Sequence, residues 1–445
     1  MCLYLTRKAS ARLLALFLLL PVSAHVSALA SGDTVTNIID SRAASLIKTF
    51  KQFHQNPELG FQEFETAATI ASHLENLGYP IMTGVGGTGV VSVFENGPGP
   101  VVLFRSDMDA LPLAELVDID YASKKTTRDL EGELVSVMHA CGHDGHAAWL
   151  LGVATVMMAL KDQWSGTLVL VAQPAEELLS GGQAMLDDPQ FRKVPAPDYV
   201  IAGHQMPFWP VGSVALKQGF RMAGSIQMDV EIFGRGGHGS TPHLAIDPVV
   251  MGSQAVMAYQ SIVSRRVDQS QPAVLTVGAF QAGSANNIIP DSATLKLNLR
   301  WYDPVVKDTM VASIKSVTDN IARMHDVPED RMPRYEIKSD VPSVFNHADL
   351  VQRARAAMAN ELGEGNVLEA GRPHMGSEDF HVLAGHESDA SILMVEVGSG
   401  PPDVLAAIAA GNRPFYPHNP NFYMEPDTVV YGARALSAVL LDLLQ

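Results

Sequence analysis

Cysteine is nearly absent from this chain of 445 residues, which has one at position 2 and one at position 141. Basic residues are also scarce, since 31 Lys and Arg stand against 48 Asp and Glu and give a net charge of −17. A surface of that sign repels phosphate backbones, so we expect no nucleic-acid partner. Repeats and low-complexity tracts are missing too, which excludes solenoid and disordered classes. The length instead indicates a folded protein of two or three domains.

Long apolar runs are also missing, and the nearest candidate lies within residues 1–30. A basic start precedes LLALFLLL (13–20), which is too short to span a bilayer. Small residues follow at Ala28 and Ala30, as in a secretory signal peptide with an A-x-A cleavage site. We expect cleavage after Ala30, with Ala24 as the second candidate. A retained membrane anchor is the alternative interpretation.

A cleaved leader would place the mature protein in the periplasm or outside the cell, where disulfides form. Cys2 would be lost with the leader, so Cys141 would remain alone and no intramolecular disulfide would form. Three of the 31 basic residues would be lost as well, which leaves 28 against 48 acidic residues and a charge of about −20. After cleavage, nothing in the sequence predicts a membrane contact. A lone thiol is easier to explain if a metal ion holds its thiolate.

Alternating strands and helices predict an open α/β sheet. Residues 35–78 have a helical pattern, and AAWLLGVATVMMAL (147–160) resembles a buried helix. Apolar runs with the pattern of strands occupy 89–95, 100–111, 166–177, 198–204 and 392–398. Functional residues in such sheets collect at the carboxyl ends of the strands. Those expected ends carry Asp107, Glu176, Glu177 and His204.

The sequence pattern changes near residue 219, where strands and helices follow in the order of a small α+β domain. We therefore expect four segments: a signal peptide (1–30), the first part of a catalytic domain (31–218), an inserted lid domain of dimerisation type (219–336), and the second part of the catalytic domain (337–445). The fold class is α/β, with an open-sheet catalytic domain and an α+β lid.

The stretch MHACGHDGHAAW (138–149) raises the question of a metal site. Cys141 and His143 lie two residues apart just before a helix, so both side chains can turn toward one divalent ion. Two ligands alone are a weak signal. The alternative interpretation is a buried cysteine beside a histidine that caps the helix.

Carboxylates and further histidines follow downstream. Glu176 and Glu177 come after an apolar strand, where two adjacent carboxylates are costly without a partner, although a solvated acidic loop is the alternative. His204 follows the apolar letters IAG, and His418 lies in the proline-rich YPHNPNF. Alone, the first suits a core histidine and the second a surface histidine.

Together these residues supply one sulfur, three imidazole nitrogens and one carboxylate, enough for two adjacent divalent ions if the thiolate bridges them. The five candidate ligands are Cys141, His143, Glu177, His204 and His418. Glu176 remains as the general base for a metal-activated water that attacks a carbonyl. This combination predicts a hydrolase with two divalent metal ions per subunit.

Several motifs occur in an order typical of one family. They are FHQNPELGFQEFETA (53–67), MHACGHDGH (138–146), QPAEE (173–177), GGHGSTPH (236–243), NNIIPD (286–291), MGSEDF (375–380) and HNPNF (418–422). The chain thus resembles the amidohydrolases typified by hippurate hydrolase and the indole-acetyl-amino-acid hydrolases, in the aminoacylase/carboxypeptidase group of dinuclear metallopeptidases. The resemblance implies the same five ligands, Glu176 as base, Zn or Mn as the bound metal, and hydrolysis of N-acyl or N-aroyl amino acids or short peptides.

The resemblance also implies a role for the lid. His238 would stabilise the oxyanion, from its own chain or from the partner in a homodimer, with Asn287 nearby. Arg300 would bind the substrate carboxylate. The alternatives are a turn histidine at the lid surface for His238, a turn-forming amide for Asn287 and a surface ion pair for Arg300.

Supporting roles are expected for acids near the ligands. Asp107, Asp109 and Asp144 match positions that orient ligands. His146 has a second interpretation as a hydrogen-bonding residue at the start of a helix, and Glu378 as a helix cap.

Two departures from the family pattern leave the acyl specificity open. The lid strand reads LKLNLRWYD (295–303) where relatives have Gly-Thr before the arginine, and residues 401–419 include an insert-like stretch before His418. Two other functions remain as alternatives. Cys141 could be a nucleophile with His143 or His146 as base, or the chain could be a non-catalytic relative that binds metal or ligand.

Overall fold

The computed structural model describes residues 34–385, 388–412 and 416–445. The expected signal peptide, residues 1–30, lies outside this part of the chain. Among the described residues, no helix is both long enough and apolar enough to cross a membrane.

The described residues form nine α-helices and 18 β-strands. The helices are α1 (Val35–Gln55), α2 (Phe64–Leu77), α3 (His143–Ala159), α4 (Gly181–Asp187), α5 (Pro248–Arg265), α6 (Pro304–Met324), α7 (Ala348–Leu362), α8 (Pro402–Ala409) and α9 (Thr428–Leu444). The strands are β1 (Met82–Val85), β2 (Gly89–Glu95), β3 (Val101–Asp107), β4 (Thr126–Arg128), β5 (Leu134–Ser136), β6 (Thr167–Gln173), β7 (Tyr199–Pro210), β8 (Val214–Leu216), β9 (Gly219–Met222), β10 (Gly224–Phe233), β11 (Gly237–His238), β12 (Ala273–Ala282), β13 (Ile288–Ile289), β14 (Ser292–Trp301), β15 (Arg334–Val341), β16 (Val344–Asn346), β17 (Val367–Glu369) and β18 (Ser391–Gly400).

An eight-stranded mixed sheet organises the larger part of the chain, in the order β1-β2-β6-β3-β7-β18-β8-β17. Its centre is parallel, because β3 pairs in parallel with β6 and β7, and β7 with β18. Helix α3 contacts α1 and α9, and every residue from His143 to Met157 is buried. A helix that is buried on all sides belongs in the interior. The predicted α/β class is confirmed.

A second sheet of four antiparallel strands, in the order β12-β14-β10-β15, belongs to the inserted segment. Helices α5 and α6 pack together and against this sheet. Their apolar side chains form a hydrophobic core separate from that of the larger sheet. Strand β15 pairs with β10 as far as Val341, so the expected boundary after residue 336 falls inside a strand of this sheet.

A strand ends at a different residue from the one predicted where its pairing with a neighbouring strand continues beyond the apolar run of the sequence. We expected His204 at the end of a strand, and this was wrong: β7 runs on to Pro210 because β18 pairs with it along that length, with His204 opposite Glu396. In contrast, β6 already ends at Gln173, so the glutamate pair lies in the following turn. The helical stretch 35–78 is two helices, separated by residues 56–63.

Close packing between α3 and α9 yields a test of stability. A Cβ on Gly432 would lie 2.3 Å from Cε2 and Nε1 of Trp149, an indole that is itself fixed by donating to Thr428 O at 3.1 Å. We predict that Gly432→Ala lowers the free energy of unfolding by about 1–3 kcal/mol through overpacking, despite the better helix propensity of alanine. Urea unfolding measures the change.

The matched control is Gly365→Ala, because nothing lies within 4 Å of the Cβ built there. We expect its unfolding midpoint to stay near that of the unsubstituted protein. A Gly432→Ala protein at least as stable as the control would contradict the packing of these two helices.

Candidate metal centre

Cys141 and His143 are presented by the start of α3. Gly142 lies between them with φ +86°, and a Cβ at this position would lie 2.5 Å from Cγ of Gln205. Only glycine adopts that backbone conformation at little cost and leaves room for the glutamine. The two side chains therefore face the same region although they are separated by one residue.

Glu176 and Glu177 lie in a tight turn after β6, which we call the glutamate turn (residues 174–179). Ala175 and Leu179 both have left-handed backbones, with φ +51° and +50°. Non-glycine residues in that region cost about 1–3 kcal/mol each and persist where the surroundings hold them. The turn is therefore a strained segment at the carboxyl end of a central strand.

His204 and His418 reach the same place from opposite parts of the chain. His204 projects from β7, and its Nδ1 lies 2.7 Å from the carbonyl oxygen of Gln205. His418 has a left-handed backbone, with φ +67°, and its N–H donates to Ala140 O at 2.8 Å. The C-terminal loop is thus fixed directly beside Cys141.

The five predicted ligands converge in two overlapping groups. Cys141, His143 and His204 form one, and Cys141, Glu177 and His418 form the other, with the ligand atoms of each group within 4.8 Å of one another. Sγ of Cys141 lies 3.4 Å from Nε2 of His204, and Nε2 of His418 lies 3.2 Å from Oε2 of Glu177. Because Cys141 belongs to both groups, its thiolate would be shared between two ions if both were bound.

Unpaired polar atoms test whether a metal centre fits these residues. Nε2 of His143 and Oε1 of Glu177 are buried and have no hydrogen-bond partner within the described residues. They lie 3.9 Å apart. Buried polar atoms are ordinarily satisfied, and two such atoms facing each other at that spacing suit a shared cation. The donor set of sulfur, imidazole and carboxylate also suits a borderline-soft divalent metal.

Asp109 orients two of the candidate ligands at once. Its Oδ1 lies 3.1 Å from Nδ1 of His143, and its Oδ2 accepts the N–H of Glu177 at 2.9 Å. A carboxylate behind a ligating histidine fixes the tautomer and the ring orientation. This geometry is the one that was expected of Asp109.

His146 is occupied elsewhere. Its Nδ1 lies 2.7 Å from Oδ1 of Asp107, and its Nε2 accepts the N–H of Gln205 at 2.9 Å. Both ring nitrogens are therefore used, which leaves His146 as a structural hydrogen-bonding residue and not a ligand. Asp107 lies close behind the site, with Oδ2 at 3.7 Å from Nε2 of His143.

Asp144 points away from the five ligands. Its Oδ2 lies 2.6 Å from Nδ1 of His54, whose Nε2 lies 3.0 Å from Oε1 of Glu115. Burial lowers the pKa of His54, but the two carboxylates outweigh burial and raise the pKa to about 9. Asp144 thus fixes the start of α3 against the end of α1.

The electrostatics separate the two glutamates of the turn. Burial raises the pKa of Glu176 well above its ordinary value, and the nearby charges of Glu378 and Glu177 raise it further. In Glu177, burial acts upward, but His418 and His143 together hold the pKa below its ordinary value. A carboxyl group with a raised pKa beside an ionised one is the arrangement expected of a proton-transferring group beside a ligand.

A cavity of about 590 Å³ opens onto the centre. Arg300 lines it and donates to Ser377 Oγ at 2.6 Å, so this lid residue reaches the larger domain. His238 and Asn287 instead line a separate surface pocket. The structure therefore brings Arg300 to the centre and does not bring the other two lid residues there, and their proposed roles stay predictions.

Sequence reasoning missed several residues around the site. Arg105 is buried and donates to Asp107 at 2.7 Å and to Glu378 at 2.8 Å. An arginine inside the apolar run PVVLFRSD was the available signal, because such a charge is buried only when it is paired. Glu378 therefore pairs with Arg105, and its Oε1 also accepts the N–H of Asp379 at 2.8 Å. Glu63 lies in the family motif 53–67, and nothing in that motif indicated a role for it.

Comparisons with known proteins identify the family. A sequence model of peptidase family M20/M25/M40 matches residues 103–442. The hippurate hydrolase of Campylobacter jejuni is 41% identical over 332 residues, which cover 74% of this chain and 82% of that protein. The IAA-amino acid hydrolase ILR1-like 2 of Arabidopsis thaliana is 32% identical, covering 90% of this chain and 85% of that one.

A solved structure adds a finding about metals. The YXEP protein of Bacillus subtilis, described as a dinuclear metal binding peptidase from the M20 family, superposes with a TM-score of 0.72 at 25% identity. The match covers 91% of this chain and 99% of that one.

Metal content per chain is the direct test of the centre. We predict about two divalent ions per unsubstituted chain, closer to one in His418→Ala, and a sharp loss of both in Cys141→Ala because the thiolate is shared. The His418 side chain is 56% exposed, so its removal should leave the fold intact. Plasma mass spectrometry after loading with Zn or Mn measures the ions.

His243→Ala is the matched control, since His243 is an exposed lid histidine. It should keep the full metal content. Absence of tightly held metal in the unsubstituted protein under every loading condition would refute the centre.

Proposed function

Because the chain belongs to peptidase family M20/M25/M40, we propose that it hydrolyses the amide bond of N-acyl or N-aroyl amino acids, or of short peptides, and releases a free amino acid. The family and its amidohydrolase members make the chain a hydrolase of amide bonds. One observation supports the proposal above all others: Glu176 lies beside the cluster of five candidate ligands and lines the cavity.

Two divalent ions, Zn or Mn, would be held by the five candidate ligands Cys141, His143, Glu177, His204 and His418. Bound ions polarise a carbonyl oxygen and acidify water. The carboxylate of Glu177 tolerates either metal, whereas the thiolate of Cys141 favours Zn.

Glu176 moves the proton in this proposal. Its Oε2 lies 3.8 Å from Nε2 of His143, so it borders the ligand cluster and opens onto the cavity. It takes a proton from the attacking water as the carbon–oxygen bond forms. It then gives that proton to the amide nitrogen as the carbon–nitrogen bond breaks.

The cavity walls indicate which parts of a substrate go where. Met206, Phe208, Trp209 and Tyr416 supply an apolar, aromatic wall, with the rings of Phe208 and Tyr416 5.1 Å apart. We assign this wall to the acyl or aroyl group. The guanidinium of Arg300 also lines the cavity and suits the carboxylate of the amino acid.

One contact favours the nucleophile alternative. Burial acts to raise the pKa of Cys141 and so does Glu177, but His204 and His143 lower it to about 6. A thiolate beside an imidazole can attack a carbonyl. The two mechanisms differ in their inhibitors: the metal mechanism requires loss of activity with a chelator and recovery with metal, whereas the thiol mechanism survives chelation.

The lid surface supports a homodimer. Strand β12 forms an edge of the lid sheet, and Met257 on the adjacent α5 is 73% exposed. Unpaired strand edges and exposed apolar side chains are common where copies associate. We propose that a dimer through the lid carries His238 and Asn287 of one chain to the centre of the other.

A periplasmic or secreted location is also part of the proposal, supported by the leader pattern of residues 1–30. The N-terminal sequence of the mature protein tests it and should begin at Ser31 or His25. Soluble protein that retains Met1 would overturn this part.

We predict that Glu176→Gln lowers kcat by about 10²–10⁴-fold with both ions retained, because the amide cannot accept the proton. Turnover is measured on benzoyl, indole-acetyl and acetyl amino acids, and on analogues whose carboxylate is replaced by a carboxamide. This replacement should raise KM if Arg300 binds the carboxylate. The control is Glu95→Gln, an exposed glutamate at the end of β2, which should leave turnover unchanged.

Full turnover in Glu176→Gln, or an unsubstituted enzyme that turns over none of these compounds when loaded with metal, would refute the proposal.

The dimer predicts complementation between two inactive variants. A purified heterodimer of Glu176→Gln and His238→Ala contains one site with an intact Glu176 and a His238 from the other chain, so it should show about half the activity of the unsubstituted dimer. The control is a heterodimer of Glu176→Gln and Cys141→Ala. Each chain supplies both of these residues to its own site, so each site carries one inactivating substitution and the heterodimer should stay inactive. No recovery in the first pair would mean that His238 does not act across chains.

A further inference from the structure

Glu63 lies next to the glutamate turn without belonging to the ligand cluster. It is fully buried in the loop before α2, and it does not line the cavity. A buried carboxylate must be held by donors, and here the donors come from two other segments of the chain. Those segments show what Glu63 does.

The first donor is the backbone of the glutamate turn. Oε1 of Glu63 accepts the N–H of Ala175 at 2.8 Å. Ala175 is the residue with φ +51°, directly before Glu176. An alanine does not hold this conformation by itself, since the left-handed region is costly for a residue with a Cβ. The hydrogen bond from Ala175 is therefore one of the contacts that keep the turn in its strained shape.

The second donor fixes Glu63 itself. Oε2 of Glu63 accepts the hydroxyl of Thr88 at 2.5 Å. Close packing also joins the loop before α2 to the glutamate turn, because a Cβ on Gly60 would lie 3.1 Å from Cα of Ala175. The loop before α2 is thus pressed against the turn, and both oxygens of Glu63 are used.

The other side of the glutamate pair is held in the same way. Asp109 accepts the N–H of Glu177 at 2.9 Å. The backbone groups on either side of Glu176 are therefore bound by two buried carboxylates from separate loops. Asp109 also contacts the candidate ligand His143, whereas the side-chain hydrogen bonds of Glu63 within the described residues reach only the turn and Thr88.

We propose that Glu63 is a positioning residue for the hydrolysis: by binding the N–H of Ala175, it fixes the strained backbone that places the carboxylate of Glu176 over the cavity. The inference rests on the proposed function, in which Glu176 is the base. A displacement of about 1 Å in a reacting group can cost about 10²-fold in rate. The loss of this contact should therefore appear in kcat, because substrate is bound by other walls of the cavity.

The test compares Glu63→Leu, Glu63→Gln and Glu58→Leu. Glutamine keeps an oxygen for Ala175 and can offer its NH₂ to the Thr88 hydroxyl, whereas leucine keeps neither bond. Glu58 is the matched control on the same loop, since it is also a buried glutamate but caps α2, accepting the N–H of Thr66 at 2.8 Å. If Glu63→Leu does not fold, Glu63→Asp takes its place, because the shorter side chain keeps the charge but cannot reach both donors.

We expect Glu63→Leu to lower kcat by about 10–100-fold with little change in KM or in metal content, and Glu63→Gln to restore most of the rate. Glu58→Leu should lower only the unfolding midpoint. Amide hydrogen exchange, followed on a peptide that spans residues 174–181, should accelerate in Glu63→Leu and not in Glu58→Leu.

An unchanged kcat in Glu63→Leu would overturn the inference, as would a loss confined to metal content with full turnover per loaded site. An unsubstituted enzyme without turnover on the amide panel would refute the proposed function instead. In that event the hydrogen exchange still decides, because unchanged exchange at residues 174–181 would mean that Glu63 does not hold the turn.

Discussion

The concentration of buried negative charge at one end of the central strands is the constraint on which the site depends. Asp107, Asp109, Glu176, Glu378 and Asp379 are all buried within this region. Carboxylates in a low-dielectric interior are tolerated only with matching positive charge and hydrogen bonds. Arg105 supplies one cation from within the sheet and bonds to Asp107 and Glu378. The centre itself still has buried donors and acceptors without a hydrogen-bond partner among the described residues. Divalent ions at the five-ligand cluster would complete that balance.

Much of this arrangement was predictable from short stretches of sequence. The apolar runs before Asp107 and before the glutamate pair identified strands, and the parallel pairing of β3 with β6 explains why their ends meet. The residue types of CGH, the glutamate pair and the two later histidines then limited the chemistry, because sulfur, imidazole and carboxylate suit few metals. Motif order supplied the family, and the comparison with known sequences confirmed it.

Features that depend on contacts between distant segments were not predictable in this way. The end of β7 was misplaced because β18, almost two hundred residues later, extends its pairing past His204. The position of Asp144 beside His143 predicts an acid that supports the metal site, yet its carboxylate bonds to His54 on another helix. Glu63 and Arg105 act through backbone and side-chain contacts that leave no periodic signal. His238 lines a pocket separate from the cavity at the centre, a placement that no local pattern in the sequence predicts.

The order of the chain also has a consequence for biogenesis. A nascent polypeptide emerges N-terminus first, but β18 lies inside the main sheet, between β7 and β8, and is contributed only by Ser391–Gly400. The lid sheet is complete by Val341 and has its own core. The lid can therefore fold while the catalytic domain is still an open sheet without its central strand. His418 arrives later still, so the five candidate ligands assemble only after nearly the whole chain has been synthesised. If these residues bind metal, loading is consequently one of the last steps of folding and cannot guide the earlier folding of the lid.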